Sequence, residues 1–173
     1  HLAWQLCQVG LDAPTVIASL LHDVVEDTPM TTHHIEKEYG SWYAQIVEGL
    51  TKVEYSSEDE KRAQTRQEAT YKRMLVALAR DVRVLFIKLF DRLDNMRDME
   101  AMPRGKQRRI SRETLNIYVP MARRLGLTEI SLEHTELCYS YLYPQRYRKT
   151  LNALENLKKS RLPAIQSMRE TLQ

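Results

Sequence analysis

Residues 82–98, VRVLFIKLFDRLDNMRD, decide the fold class of this chain. The first half is densely apolar and, taken alone, is compatible with a buried strand. Four polar residues of the second half follow at i, i+3, i+4 and i+7: Asp91, Asp94, Asn95 and Asp98. That spacing puts them on one face of a helix. We therefore predict one long helix over 81–98, with a polar stripe along its second half.

Helical periodicity continues on both sides of this segment. We expect further helices at 2–9, 13–27, 41–54, 63–79, 106–125, 129–142 and 145–172, and a short one that Thr31 or Thr32 caps and Gly40 ends. Asp12 is the predicted N-cap of the second helix. Residues 55–62 are a predicted loop, and Pro120, Pro144 and Pro163 are predicted to interrupt or punctuate the later helices. No segment alternates like a strand, so the predicted fold is all-α, a helical bundle.

Composition places the chain among ordinary globular domains. It has 173 residues, of which 43% are hydrophobic and 28% charged, with a net charge of +3. No apolar run is long enough to cross a bilayer, and no signal peptide is visible, so we expect no membrane association. Cys7 and Cys138 form no motif, which favours a reducing, cytoplasmic location. The chain begins at His1 inside an apolar pattern, and we expect its true start to lie upstream.

A second polar cluster interrupts the apolar run that ends the predicted helix 13–27. It contains His22, Asp23, Glu26 and Asp27. On a helix these residues share one side, and ionised groups on a buried face need a partner or a metal ion. One imidazole with several carboxylates suits Mn²⁺, Fe²⁺ or Zn²⁺. Solvated carboxylates and ordinary surface ion pairs, such as Asp91 with Arg92 or Lys88, remain the alternative explanation.

A basic segment follows the long helix. It has five cations in nine residues: Arg104, Lys106, Arg108, Arg109 and Arg112. Such a segment is either a solvated helix face or an attraction site for phosphates. No nucleic-acid-reading motif accompanies it, so we expect no direct nucleic-acid binding. His33, His34 and His134 lie in polar surroundings and are predicted to be surface residues.

Several motifs together resemble the hydrolase domain of the RelA/SpoT homologue family. They are residues 20–28 (LLHDVVEDT), 47–52 (VEGLTK), 88–97 (KLFDRLDNMR), 106–115 (KQRRISRETL) and 122–126 (ARRLG). Their order and spacing agree over nearly the whole chain. The resemblance implies a helical HD domain that removes the 3′-pyrophosphate of guanosine tetra- and pentaphosphate with Mn²⁺. It also implies a domain over 1–142, truncated at its N-terminus, and a helical connector over 143–173 that leads to a fused synthetase domain absent from this chain.

The resemblance also implies residue roles. His22, Asp23 and Asp91 would be metal ligands, and Glu26 and Asp27 would position or activate the attacking water. The predicted nucleotide-binding residues are Asn95, Asp98, Arg92, Lys106 and Arg109. The family's first metal histidine would fall three residues before His1 by register, so we expect that ligand upstream.

Two positions depart from the family pattern, which usually has His at Asp94 and Thr at Asp98. We expect both to face the nucleotide, where added negative charge opposes polyphosphate binding. Two alternatives to the hydrolase therefore stay open. One is a regulatory domain that binds the nucleotide, or packs on a synthetase domain, without turnover. The other is a phosphohydrolase with a different nucleotide substrate.

Overall fold

The computed structural model describes residues 1–54 and 66–171, with side chains except at 26, 52–54, 66–67, 73 and 162–171. The described residues form helices and contain no strand, which confirms the all-α prediction. The α-helices are α1 (Leu2–Gln8), α2 (Ala13–Leu20), α3 (Val24–Asp27), α4 (Thr32–Tyr39), α5 (Ser41–Glu54), α6 (Arg66–Arg80), α7 (Val82–Arg97), α8 (Arg104–Glu113), α9 (Val119–Arg124), α10 (Thr128–Leu142) and α11 (Pro144–Thr171). A 3₁₀ turn (Met99–Ala101) follows α7, and a π-helical segment (Thr114–Tyr118) joins α8 to α9.

Helix α7 is the central element and confirms the prediction for 81–98. Asp81 caps it, because its Oδ1 accepts a hydrogen bond from the backbone N–H of Arg83 at 2.9 Å. Helices α1, α2, α5, α6 and α10 all pack against α7. This surrounding layer explains the dense apolar run, since Ile87 and Leu89 are fully buried although they point in different directions from the helix axis.

The predicted helix over 13–27 is wrong in one respect that matters for the site. Asp12 caps α2 as predicted, but α2 ends at Leu20 and residues 21–23 form a turn before α3. The backbone N–H of Leu21 donates to Ala18, and that of Val24 donates to Leu21, so both bonds span three residues instead of four. The apolar residues Leu20, Leu21, Val24 and Val25 keep helical spacing across the turn, which is why periodicity did not reveal it.

The remaining helices follow the predictions more closely. Thr31 caps α4 and Gly40 ends it with a φ of 101°. The predicted helices 2–9, 41–54, 63–79 and 129–142 correspond to α1, α5, α6 and α10. The predicted loop at 55–62 lies outside the described residues. None of the described helices is both long enough and apolar enough to span a bilayer.

Prolines have different effects from those predicted. The helix over 106–125 is interrupted as expected, but by the π-helical segment that ends just before Pro120. Pro144 opens α11, as predicted, whereas the prediction for Pro163 is wrong because α11 continues across it. A proline removes one helical hydrogen bond and bends a helix, but these two effects do not end α11.

Candidate metal centre

His22 lies in the turn between α2 and α3 and is held in one orientation. Its Nδ1 donates to the backbone carbonyl of Ser19 at 2.6 Å. The other ring nitrogen, Nε2, is buried and lies 2.9 Å from Asp23 Oδ2 and 3.7 Å from Asp91 Oδ1. Within the described part of the chain, it makes no hydrogen bond. Fixing Nδ1 as the donor leaves Nε2 as the ligand atom of a neutral imidazole, the arrangement usual for metal-binding histidines.

Asp91 lies on α7, one turn beyond Lys88, and faces His22 across this centre. Lys88 is only 3% exposed. Burial works to raise the pKa of Asp91, but His22 and the cations of Lys88 and Arg92 outweigh it and hold that pKa below its usual value. Asp91 is therefore ionised at neutral pH.

Burial and neighbouring charges also shift the pKa values of His22 and Asp23. Burial lowers the pKa of His22, but the carboxylates of Asp91 and Asp23 more than offset this, so the pKa is raised. Burial, together with the charges of Asp91 and Asp27, raises the pKa of Asp23 against the opposing effects of His22 and Lys88. The centre thus has excess negative charge, which favours the cationic form of His22. A divalent cation would replace that proton.

The residue types fit a divalent metal ion, because a buried imidazole nitrogen that makes no hydrogen bond lies beside two carboxylates. The described side chains do not, however, form a group of three or more His, Cys, Asp or Glu residues arranged to hold an ion as they stand. His22 contacts each carboxylate directly, and the donors are not spread around a common central point. The predicted ligand set His22, Asp23 and Asp91 is brought together, while its role as a ligand set stays a prediction.

Two further predicted residues adjoin this centre. Asn95 lies one turn beyond Asp91 on α7, and its Nδ2 donates to Asp91 Oδ1 at 2.9 Å. Asp27 is exposed on α3, and its charge acts on Asp23. Glu26 belongs to the same short helix, but its side chain lies outside the described ones. Their roles in catalysis or nucleotide binding stay predictions.

Asp94 is a paired carboxylate in the described structure. Its Oδ1 lies 3.0 Å from Arg97 Nη1 and 2.9 Å from His1 Nδ1, and it also accepts a hydrogen bond from Gln5. The carboxylate therefore ties α1 to α7. Because Arg97 already offsets its charge, the repulsion of a polyphosphate is weaker than the sequence alone suggests.

Arg92 follows Asp91 in sequence but points elsewhere. Its guanidinium lies 4.2 Å from the ring centre of Tyr118, donates to the Tyr118 hydroxyl at 2.7 Å, and lies 3.5 Å from Glu113 Oε2. The side chain is 18% exposed. These contacts give Arg92 internal partners, and they argue against the predicted nucleotide contact.

The other predicted nucleotide-binding residues are not joined to His22 or Asp91 by any hydrogen bond or ion pair seen in the described structure. Asp98 is exposed at the C-terminal end of α7. Lys106 and Arg109 are exposed on α8, which packs against α10. They stay predictions based on charge alone.

Two functional features escaped the sequence analysis. Lys88 was considered only as a surface partner of Asp91, although its position inside the run VLFIKLF indicates burial. His134, predicted at the surface, is fully buried, so that prediction is wrong. It shares a helical register with the buried Ser131, Cys138 and Leu142, and this pattern was the available signal.

Comparison with known proteins agrees with this geometry. A family model described as HD domain matches residues 1–128. The chain is 41% identical over 164 residues to the bifunctional (p)ppGpp synthase/hydrolase SpoT of Escherichia coli strain K12, covering 94% of this chain and 23% of that protein. It is 37% identical over 163 residues to the guanosine-3′,5′-bis(diphosphate) 3′-pyrophosphohydrolase of Aquifex aeolicus, covering 92% and 22%.

A third relative carries a different name. The chain is 42% identical over 142 residues to a GTP pyrophosphokinase of Streptomyces coelicolor, covering 82% of this chain and 16% of that protein. The chain thus spans less than a quarter of the length of these relatives. The family match and the three alignments show that this chain belongs to the HD domain family, as an HD domain of the RelA/SpoT type.

Proposed function

We propose that the protein hydrolyses guanosine 3′,5′-bis-polyphosphates, with Mn²⁺ as its cofactor, to guanosine 5′-di- or triphosphate and pyrophosphate. The water oxygen bonds to the phosphorus next to O3′, the P–O3′ bond breaks, and O3′ takes up a proton. The observation that carries the proposal is the orientation of His22, whose Nε2 is directed between Asp23 and Asp91. The printed names of the relatives supply the substrate class.

The residues of the centre have distinct tasks in this proposal. His22, Asp23 and Asp91 would hold the metal ion, which would supply a Lewis acid for the phosphate and would acidify a water molecule. The buried ammonium group of Lys88 partly offsets the negative charge of Asp91, since it lowers the pKa of the Asp91 carboxyl group. Asp27 and Glu26 take the proton of the attacking water.

The nucleotide is held beside this centre. Asn95 has its amide group fixed on Asp91, which leaves its Oδ1 to accept a hydrogen bond from the nucleotide. Asp98, Lys106 and Arg109 stay in the proposal as outer contacts. A fused synthetase domain, reached through 143–173, is supported by the bifunctional name of one relative. A cytoplasmic location is supported by the two unpaired thiols, Cys7 and Cys138.

A second candidate is an HD domain that binds the nucleotide without turnover. It is favoured by the relative named for pyrophosphate transfer to GTP, which shares this domain at 42% identity over 142 residues. The departures at Asp94 and Asp98 also favour it. The paired state of Asp94 weakens that second argument, because its charge is already offset by Arg97.

Pyrophosphate release from guanosine tetraphosphate by the full-length protein with Mn²⁺ tests the proposal. We expect release in the wild type and a loss of at least about 100-fold in Asp23→Asn and Asp91→Asn, which keep the side-chain shape but remove a ligand charge. Asp81→Asn is the matched control. It lies on the same helix as Asp91, and asparagine caps a helix as well as aspartate does.

The outcomes separate the candidates. Release that survives in Asp91→Asn would contradict the proposed centre. Tight binding of the nucleotide without release would support the regulatory domain instead. No response to this nucleotide, with cleavage of another, would keep the metal chemistry and reject the substrate.

A further inference from the structure

A largely buried polar network adjoins α7 next to Asp91. Arg92 is its centre, with the ring and hydroxyl of Tyr118 on one side and the carboxylate of Glu113 on the other. Glu113 Oε1 in turn accepts a hydrogen bond from the Thr70 hydroxyl on α6 at 3.4 Å. Tyr118 is 4% exposed and Thr70 is 6% exposed. The two charged side chains are more accessible, 18% exposed at Arg92 and 22% at Glu113, and their pairing offsets the cost of this partial burial.

The π-helical segment is what makes this network possible. Glu113 immediately precedes the segment and Tyr118 ends it, five residues later. On an ordinary α-helix, residues five apart point roughly 140° away from each other. The wider π turn brings them to nearly the same side. Both can therefore reach one guanidinium on α7, which an uninterrupted helix would not allow.

Arg92 is also the direct neighbour in sequence of Asp91, the residue that α7 contributes to the metal centre. Asp91 and Arg92 are consecutive on α7, so their side chains leave the axis roughly 100° apart. Any rotation of α7 that moved Asp91 would pull the guanidinium from Tyr118 and Glu113. A carboxylate about 5 Å from the axis moves about 1 Å when the helix turns by roughly 10°. Displacements of that size are large for a metal ligand or a reacting group.

We propose that Arg92, Tyr118 and Glu113 are positioning residues, which lock the rotation of α7 and so aim Asp91 at the metal ion. The inference rests on the proposed function for its catalytic consequence. It replaces the nucleotide contact predicted for Arg92. The network acts only through Asp91, because its polar groups are engaged with one another and with Thr70.

Tyr118→Phe is the sharpest variant, since it keeps the ring under the guanidinium and removes only the hydroxyl. We expect the dissociation constant for Mn²⁺, measured by electron paramagnetic resonance of the free ion, to rise about 3- to 10-fold. At saturating Mn²⁺ we expect kcat to fall about 10-fold and the KM for guanosine tetraphosphate to change less than about twofold. Arg92→Lys and Glu113→Gln should move the same two quantities in the same direction.

Tyr71→Phe is the matched control. The Tyr71 hydroxyl also accepts a hydrogen bond from an arginine, Arg124, at 2.9 Å, but neither residue lies on α7. It removes the same kind of bond and should leave Mn²⁺ affinity and kcat at wild-type values. Thermal unfolding of each variant shows whether it is folded at the assay temperature.

Three results would overturn the inference. The first is Mn²⁺ affinity and kcat in Tyr118→Phe equal to those in Tyr71→Phe. The second is an Arg92→Lys variant with a raised nucleotide KM at unchanged Mn²⁺ affinity, which would make Arg92 a substrate contact. The third is a wild type that binds no Mn²⁺. If the wild type binds Mn²⁺ but releases no pyrophosphate, the proposed function fails, and the Mn²⁺ titration still decides the network.

Discussion

His134→Leu is expected to stabilise the protein, and more so at acidic pH. His134 is fully buried in α10, and its Nδ1 donates to the backbone carbonyl of Ile130 at 2.8 Å. Its Nε2 makes no hydrogen bond within the described structure. Burial lowers the pKa of His134, and with the nearby cations Arg92 and Arg97 it outweighs the opposing effects of the hydrogen bond to Ile130 and of Glu133. The histidine is therefore neutral in the folded protein at neutral pH.

The size of the effect follows from these contacts. A buried polar group without a partner costs about 1–3 kcal/mol. Leucine has a similar volume and no such group, while the bond to Ile130 is worth about 1 kcal/mol and is lost. We therefore expect the free energy of unfolding to rise by about 1 kcal/mol at pH 7.5, which for a chain of this length raises Tm by about 2–4 °C.

The pH dependence has a definite sign. The folded-state pKa is below the reference value of 6.5, so the unfolded chain binds the proton more readily. Wild-type stability is fully present above pH 6.5 and falls as the pH drops from there toward the folded-state pKa. The loss is at most about 1.4 kcal/mol per pH unit for one proton. The leucine variant lacks this loss, so its advantage should grow between pH 7.5 and pH 5.5.

Urea unfolding of both proteins at the two pH values measures the difference, in which all other titrating groups cancel. His33→Leu is the control for the same substitution at an exposed position, because the His33 side chain is 82% exposed. Equal advantages of His134→Leu at pH 7.5 and pH 5.5 would refute the assignment of a buried neutral imidazole at this position.

Three further outcomes are expected. Asp91→Asn should weaken Mn²⁺ binding at least about 10-fold by titration calorimetry, and unchanged affinity would remove Asp91 from the ligand set. Gly49→Ala should lower the free energy of unfolding in urea by about 1 kcal/mol, because its Cβ would lie 3.0 Å from Val84 Cγ2. Gly105→Ala is the control: its Cβ meets nothing within 4 Å, and the free energy of unfolding should rise by about 0.5 kcal/mol. Asp94→Asn should lower stability by less than about 1 kcal/mol, since its ion pairs are partly exposed; a larger loss would mean that the tie between α1 and α7 is a main support of the fold.

The helices were largely predictable because burial repeats along the chain with a helical period. Helix α7 is the clearest case, since its apolar half and its polar stripe are both consistent with one period. The turn at 21–23 was not predictable from this signal. It depends on hydrogen bonds that span three residues, while the apolar residues on both sides of it keep their helical spacing.

The candidate site was predictable in its residue types and only partly in its geometry. His22, Asp23 and Asp91 are together as predicted, because the motifs that contain them fold onto adjacent elements. The inward direction of Arg92 was not predictable. It depends on the π-helical segment, which brings Glu113 and Tyr118 to the same side.

Because of the turn at 21–23, the part of the centre that contains His22 and Asp23 is less rigid than the part that contains Asp91. Asp91 belongs to a helix surrounded by other helices, whose amides should exchange with solvent only on global unfolding. His22 and Asp23 belong to a turn followed by a four-residue helix, which has few internal bonds to protect it. An ion bound by both sides would therefore slow amide exchange over 21–28 and leave exchange over 84–93 unaffected. Ion binding would thus order the turn that carries His22 and Asp23, whereas the helix that carries Asp91 is ordered without the ion.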